Sequence, residues 1–249
     1  MTIIVSQRTT HLISCNGVVV VIDHEPVGGD SVLFERVGDT VVVAYLAQDS
    51  DTTTEELIGD CMGNIYSFHK HAAKEDHKAG LAAIGRDEEG IRRDDIVPDI
   101  DAVQLDCYQH GNVMWSISGT GMQDRFDTAR GAGVWMPDKC LREQIDSDVA
   151  KSQLGHVVPE PIAYRRERAE HYCKQFLAIY NASANGEVYR CIVQVYHLSE
   201  SLGGPPLWLE DYDEGQEAWG FAGMEEAMQA LKEEYFQPVV SAFRSEEPA

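Results

Sequence analysis

Apolar positions fall in short runs and alternations over the first fifty residues. "GVVVVIDHE" is β-branched and reads as a buried strand. "SVLFERVGDTVVVAYLAQD" reads as a hairpin, with "VGDT" turning between Phe34 and Val41. The period then changes. In "TTTEELIGDCMGNIYSFHKHAAK", Leu57, Ile58, Cys61, Met62, Ile65 and Phe68 follow helical spacing, with Thr53 or Thr54 as a cap and Glu56 as a capping-box acid. Gly80–Asp99 is glycine-rich and charged and reads as a long surface loop with room for a short helix. "AVQLDCYQHGNVMWSIS" is a second hairpin turning at "HGN".

"DTARGAGVW" then reads as a structured turn, and "MPDKCLREQI" begins a helix with Pro137 early in it or Asp138 as cap. Two prolines in "GHVVPEP" suggest a boundary, dividing the chain into a β-rich α+β part, 1–154, and a helix-strand-strand-helix part, 155–249, or leaving it one continuous domain. "YRRERAEHYCKQFLAIYNA" is an amphipathic helix whose buried face is Ala169, Tyr172, Cys173, Phe176 and Tyr180, stopped by "ANG". "EVYRCIVQVYHL" is a strand, "SESLGGPPLWLEDYDEGQ" a long acidic linker, and "EAWGFAG" a short strand pairing back. The last helix, "MEEAMQALKEEYF", buries Met224, Ala227, Met228, Leu231 and Tyr235. Hairpins interrupted by three to four amphipathic helices predict an α+β fold with antiparallel sheet.

Charge changes this picture. Forty-two acids face twenty lysines and arginines, a formal net charge of −22. That field repels phosphates and anionic membranes, so direct nucleic-acid or membrane binding is disfavoured. Three readings stay open: solubility or salt adaptation, docking on a basic partner protein, and carboxylates that imitate phosphates in a nucleic-acid-binding groove. From Glu200 onward about a dozen acids oppose only Lys232 and Arg244. The six cysteines show no close pairing, so zinc ribbons and compact disulfide frameworks lack support, and reduced thiols in a cytoplasm are expected. The N-terminal residues show no signal-peptide pattern, and no apolar run approaches the ~20 residues of a membrane span.

Candidate chemistry is sparse. His69, His71 and His77 lie close in sequence, but 69 and 71 point about 200° apart on a helix, a poor arrangement for a metal. "SGTGMQDR" and "RGAGVW" lack the lysine and spacing of a phosphate loop, and no GxSxG elbow exists. "EDYDEG" matches only part of a calcium loop. No cofactor or metal is therefore expected. An enzyme reading, hydrolase-like, rests on Asp23 and His24 with Asp124, Arg125, Asp127 and Arg130. The competing binding face is Glu210, Asp211, Asp213, Glu214 and Glu217, with Trp208 and Tyr212 as aromatic anchors.

The segments "VQLDCYQHGNVMWSISGTGMQDRFDTARGAGVWMPDKCLREQI", "YCKQFLAIYNASANGEVYRCIVQVY" and "EAWGFAGMEEA" carry a resemblance. Over Asp101 to Ala230 the chain resembles an uncharacterised family of tailed-bacteriophage and mobile-element accessory proteins with GVWxPDK, NGxVY and WGFxG motifs. The long "GGPP" linker departs from that pattern and puts the contact surface in doubt. The resemblance implies accessory phage biology in a host cytoplasm and no assigned reaction. By class analogy it implies an inhibitor of host defence, anti-CRISPR or anti-restriction, acting as a nucleic-acid mimic on a basic host protein. A structural or regulatory phage oligomer is the further alternative.

Overall fold

A computed structural model describes residues 11–15, 17–70, 72–155, 161–199 and 207–246. The fold is α+β with antiparallel sheets, as the periodicity predicts. Two compact units form, one from Met1–Thr53 with Gly186–Ala249 and one from Thr54–Asn185. These bounds differ from the expected 1–154 and 155–249. A proline-rich stretch signals a break in regular structure, whereas unit membership follows from which strands pair.

The first unit contains β1 (His11–Cys15), β2 (Val18–Ile22), β3 (Val32–Val37) and β4 (Thr40–Gln48). It is completed from the far end of the chain by β9 (Val188–Ser199) and β10 (Leu207–Ala222). β10, β9, β4 and β3 pair in that order as an antiparallel sheet. One face carries Val42, Ala44 and Leu46 of β4 and Cys191, Val193 and Val195 of β9 against a C-terminal helical segment. That segment runs from α5 (Met224–Ala230) through a π-helical stretch into α6 (Gln237–Glu246). The other face buries Val41, Val43 and Tyr45 with Ile192 and Tyr196 under the β1–β2 hairpin. With both faces covered, β4 reads as an unbroken apolar run instead of an alternation.

The expected linker before "WGFAG" is, from Leu207 onward, part of β10, sixteen residues long. Linker composition misleads here because β10 lies at the sheet edge, where acidic side chains are tolerated and discourage unwanted pairing. Two register shifts interrupt it, between Asp211 and Gln216 and between Ala218 and Phe221. At the second, Gly220 (φ 80°) donates its N–H to the buried Asp49 carboxylate at 3.0 Å. The part of the linker at positions 200–206 lies outside the described residues.

The second unit holds the sheet β5-β8-β6-β7, from β5 (Asn64–Ser67), β6 (Val103–His110), β7 (Asn112–Ile117) and β8 (Thr128–Met136). α3 (Lys139–Gly155) and α4 (Pro161–Ala184) cover one face around Leu105, Trp135, Ile145 and Phe176. The predicted face of α4 is the one buried there. Asp138 caps α3 by accepting the Leu141 N–H at 2.8 Å. Asn181 and Asn185 lie next to the free edge of β7. Each amide accepts an N–H and donates to the C=O of one strand residue, Trp115 and Val113 respectively, imitating a neighbouring strand.

Three local expectations are corrected. The helix expected from Thr53 onward is one turn and a half, α1 (Thr54–Ile58), followed by strand β5. Gly59 and Gly63 take positive φ and break the period. The expected Gly80–Asp99 loop is entered by α2 (Lys74–Ala83), whose Gly80 packs so closely on Tyr66 and Phe68 that an added Cβ would meet each at 2.9 Å. "TARGAGVW" belongs to strand β8, where Gly133 admits close neighbours: a Cβ there would approach Trp115 at 3.0 Å. Cysteine usage is corrected as well. Cys61 and Cys140, 79 residues apart, form a disulfide, while Cys15, Cys107, Cys173 and Cys191 are free. Sequence spacing detects only neighbouring cysteines, and this pair meets through folding. No helix among the described residues is long and apolar enough to cross a membrane.

Candidate functional site

The residues singled out from the sequence fall into both units. Asp124, Arg125, Asp127 and Arg130 belong to the second. Asp124 accepts the N–H groups of Phe126 and Asp127, a turn-forming role, and those bonds hold its carboxyl below the usual range. Asp127 pairs with His110 at 3.0 Å, the Arg125 guanidinium lies over Phe126, and Arg130 is exposed. Asp127 also lines a cavity of about 800 Å³ with Phe68, Cys107, Trp115 and Phe126. His69 lines the same cavity, His77 stacks edge-on against Phe68, and His71 lies outside the described residues.

The residue that organises this region is Asp106, which the motif search passes over. It is 2 % exposed and accepts four hydrogen bonds. Ser118 Oγ and Gly131 N donate to Oδ1, while Gly119 N and Gln123 Nε2 donate to Oδ2. Burial pushes its pKa up, but these donors outweigh burial and bring it down to about 2. The available signal was an acid inside the apolar run "VQLDC".

In the first unit, Asp23 and His24 meet residues from the other expected set. They line a cavity of about 220 Å³ with Tyr45, Gln194, Glu210, Tyr212 and Glu217. The loop after β2 supplies the first two, and β9 and β10 supply most of the rest. Glu210 is its centre. It accepts a 2.6 Å bond from Gln194 Nε2, and Gln194 Oε1 in turn accepts from buried Tyr45 at 3.0 Å. Burial raises the Glu210 pKa. Bonds from Gln194 and Tyr212 oppose that rise and nearby Asp23 adds to it.

Arg190 lies alongside. It donates to Glu217 at 3.4 Å and to His24 Nδ1 at 3.0 Å, and stacks on Trp219. A guanidinium only donates, so His24 Nδ1 accepts and the ring proton sits on Nε2.

The acids of β10 do not share one face. Glu210 and Glu217 turn to the cavity, while Asp211 and Glu214 turn to the helix-covered face, where they meet His197. Asp213 is exposed. Of the expected anchors, Tyr212 is exposed, but Trp208 is half-buried against the hairpin core with Arg36 over its ring. Trp219 is the exposed indole on this strand, which also exposes Leu207 and Leu209. Chemically, the arrangement is an edge strand with carboxylates to both sides and a small acidic cavity, suited to seating a cationic group. Compared with known proteins, the chain matches no family model, no curated protein and no solved structure.

Proposed function

We propose that this is a binding protein that docks through β10 on a basic surface of a partner protein and places a partner arginine or lysine in the Glu210 cavity. One observation carries the reading. Asp23, Glu210 and Glu217 converge on one cavity, and the Glu210 carboxyl is held there with a raised pKa. A carboxyl that is costly to ionise alone gains most when a cation arrives. The strand around it also offers exposed aromatic and aliphatic side chains, the usual companions of a docking site.

The finer reading follows the phage-accessory resemblance. The partner would be a host protein whose basic groove holds nucleic acid, such as a CRISPR effector or restriction enzyme, and binding in the host cytoplasm would inhibit it. The acidity then acts as phosphate mimicry.

The test uses a partner recovered from host lysate and re-measured as a purified pair. Binding should weaken as salt rises, and neutralising Glu210, Asp211, Asp213, Glu214 and Glu217 together to their amides should weaken it about tenfold or more. Unchanged affinity in that variant, or affinity indifferent to salt, overturns the reading.

A further inference from the structure

A second constellation sits on the other face of the same sheet. His197 Nε2 is 2.7 Å from Glu214 Oε2 and 3.9 Å from Asp211 Oδ2. All three potential ligand atoms lie within 4.8 Å of one another. A regular strand could not build this. Residues 211 and 214 are an odd number apart, so strict alternation would turn them to opposite faces. The register shift between Asp211 and Gln216 breaks the alternation and brings Glu214 to the face of Asp211 and His197.

Two of the three donors are also oriented from behind. Asp211 Oδ1 accepts the Asp213 N–H at 3.0 Å, which leaves Oδ2 for His197. The imidazole is held at its other nitrogen, Nδ1, by Thr40 Oγ1 at 3.1 Å, and Phe243 packs edge-on against the ring. An imidazole with one nitrogen held by a polar neighbour and the other aimed at carboxylates is the arrangement metal-ligating histidines use.

We infer that His197, Asp211 and Glu214 form a binding site for a divalent transition-metal ion of the zinc class. One imidazole nitrogen with two carboxylate oxygens suits zinc, cobalt or manganese, whereas magnesium and calcium favour oxygen ligands throughout. The distances fit. On a tetrahedral zinc ion with bonds of about 2.0–2.1 Å, two ligand atoms stand about 3.3 Å apart. The observed 2.7 and 3.9 Å bracket that separation, so small side-chain adjustments seat the ion. The metal takes the neutral ring in the tautomer that carries its single proton on Nδ1, so Nε2 coordinates and Nδ1–H donates to the Thr40 hydroxyl. Three protein ligands leave a position for water or a partner side chain. A protonated imidazole paired with two carboxylates would give the same distances and bind no metal, so the test must separate the two.

Metal-free full-length protein is titrated with zinc by calorimetry and with cobalt by visible absorption. The expected result is saturable binding of a single zinc in the micromolar range, and cobalt bands of low coordination number. His197→Ala should weaken zinc binding about tenfold or more, while Glu226→Gln, an exposed acid of α5 outside the trio, should change it less than about twofold. If His197→Ala does not fold by circular dichroism, Asp211→Asn/Glu214→Gln takes its place with the same expected loss. The inference is overturned if zinc does not saturate below about 1 mM, if removing the ligands leaves affinity unchanged, or if Glu226→Gln weakens it equally. No partner enters this experiment, so its failure leaves the docking reading standing, and a failed docking reading leaves the metal site standing.

Discussion

The hydrogen bonds that converge on Asp106 give a quantitative test of what holds the region from Ser118 to Gly131. The perturbation is Asp106→Asn, which keeps the side chain's shape and removes its charge. The ordinary value of 3.8 falls to about 2 in the folded protein. At about 1.4 kcal/mol per pH unit, the ionised carboxylate contributes about 2 kcal/mol of stability at neutral pH. The amide also presents N–H groups toward backbone donors and leaves at least one of them unpaired, so the total loss at pH 7 is about 2–4 kcal/mol.

The sign is fixed by linkage. A depressed folded pKa gives stability that is present above 3.8 and is lost as pH falls through about 2. Urea denaturation of both proteins should therefore show a constant gap from pH 7 to about 5, narrowing by about 1 kcal/mol by pH 3. A gap that stays flat over that window would mean that the ionised carboxylate does not hold this region, and would refute the argument.

Arg165 makes a two-pronged contact with Asp101, both bonds 2.7 Å, and pairs with Asp146, while Arg142 ties Asp101 to Asp99. Because Asp101 is only 1 % exposed, Arg165→Ala should cost about 3–5 kcal/mol by leaving a buried charge short of its partner, measured by denaturation. Glu210→Gln should do the opposite and raise the melting temperature at pH 7. The raised folded pKa means Glu210 ionisation works against folding as pH rises above 4.5, so the gain should vanish below about pH 4, and a loss of stability at pH 7 would contradict it. Reducing Cys61–Cys140 should cost about 2–4 kcal/mol, given its 79-residue separation. The chain should remain folded in reductant by circular dichroism if it works in a reducing cytoplasm.

Much of the architecture follows from periodicity. The β3–β4 and β6–β7 hairpins, the Asp138 cap and the buried face of α4 are local matters, decided by turn residues and by which positions share a face. The region between Thr54 and Ser67 misleads because an apolar set at helical spacing is interrupted by glycines with positive φ, and strand β5 forms where β8 offers it an edge. The candidate site was legible in parts only. Asp23, His24, Glu210 and Glu217 were all singled out, but as members of two rival sites, because nothing in the sequence says that the loop after β2 folds over β9 and β10.

The sequence by itself determined the α+β class, the antiparallel hairpins and the concentration of negative charge on the last fifty residues, all properties of local pattern or of a sum over residues. Tertiary structure alone decided that Cys61 meets Cys140 and that Asp106 anchors four donors. It also decided that the acids of β10 divide between a cavity and His197. Each of these depends on pairing register and bulges between segments far apart in the chain, and one extra residue in a strand is enough to turn a side chain to the other face.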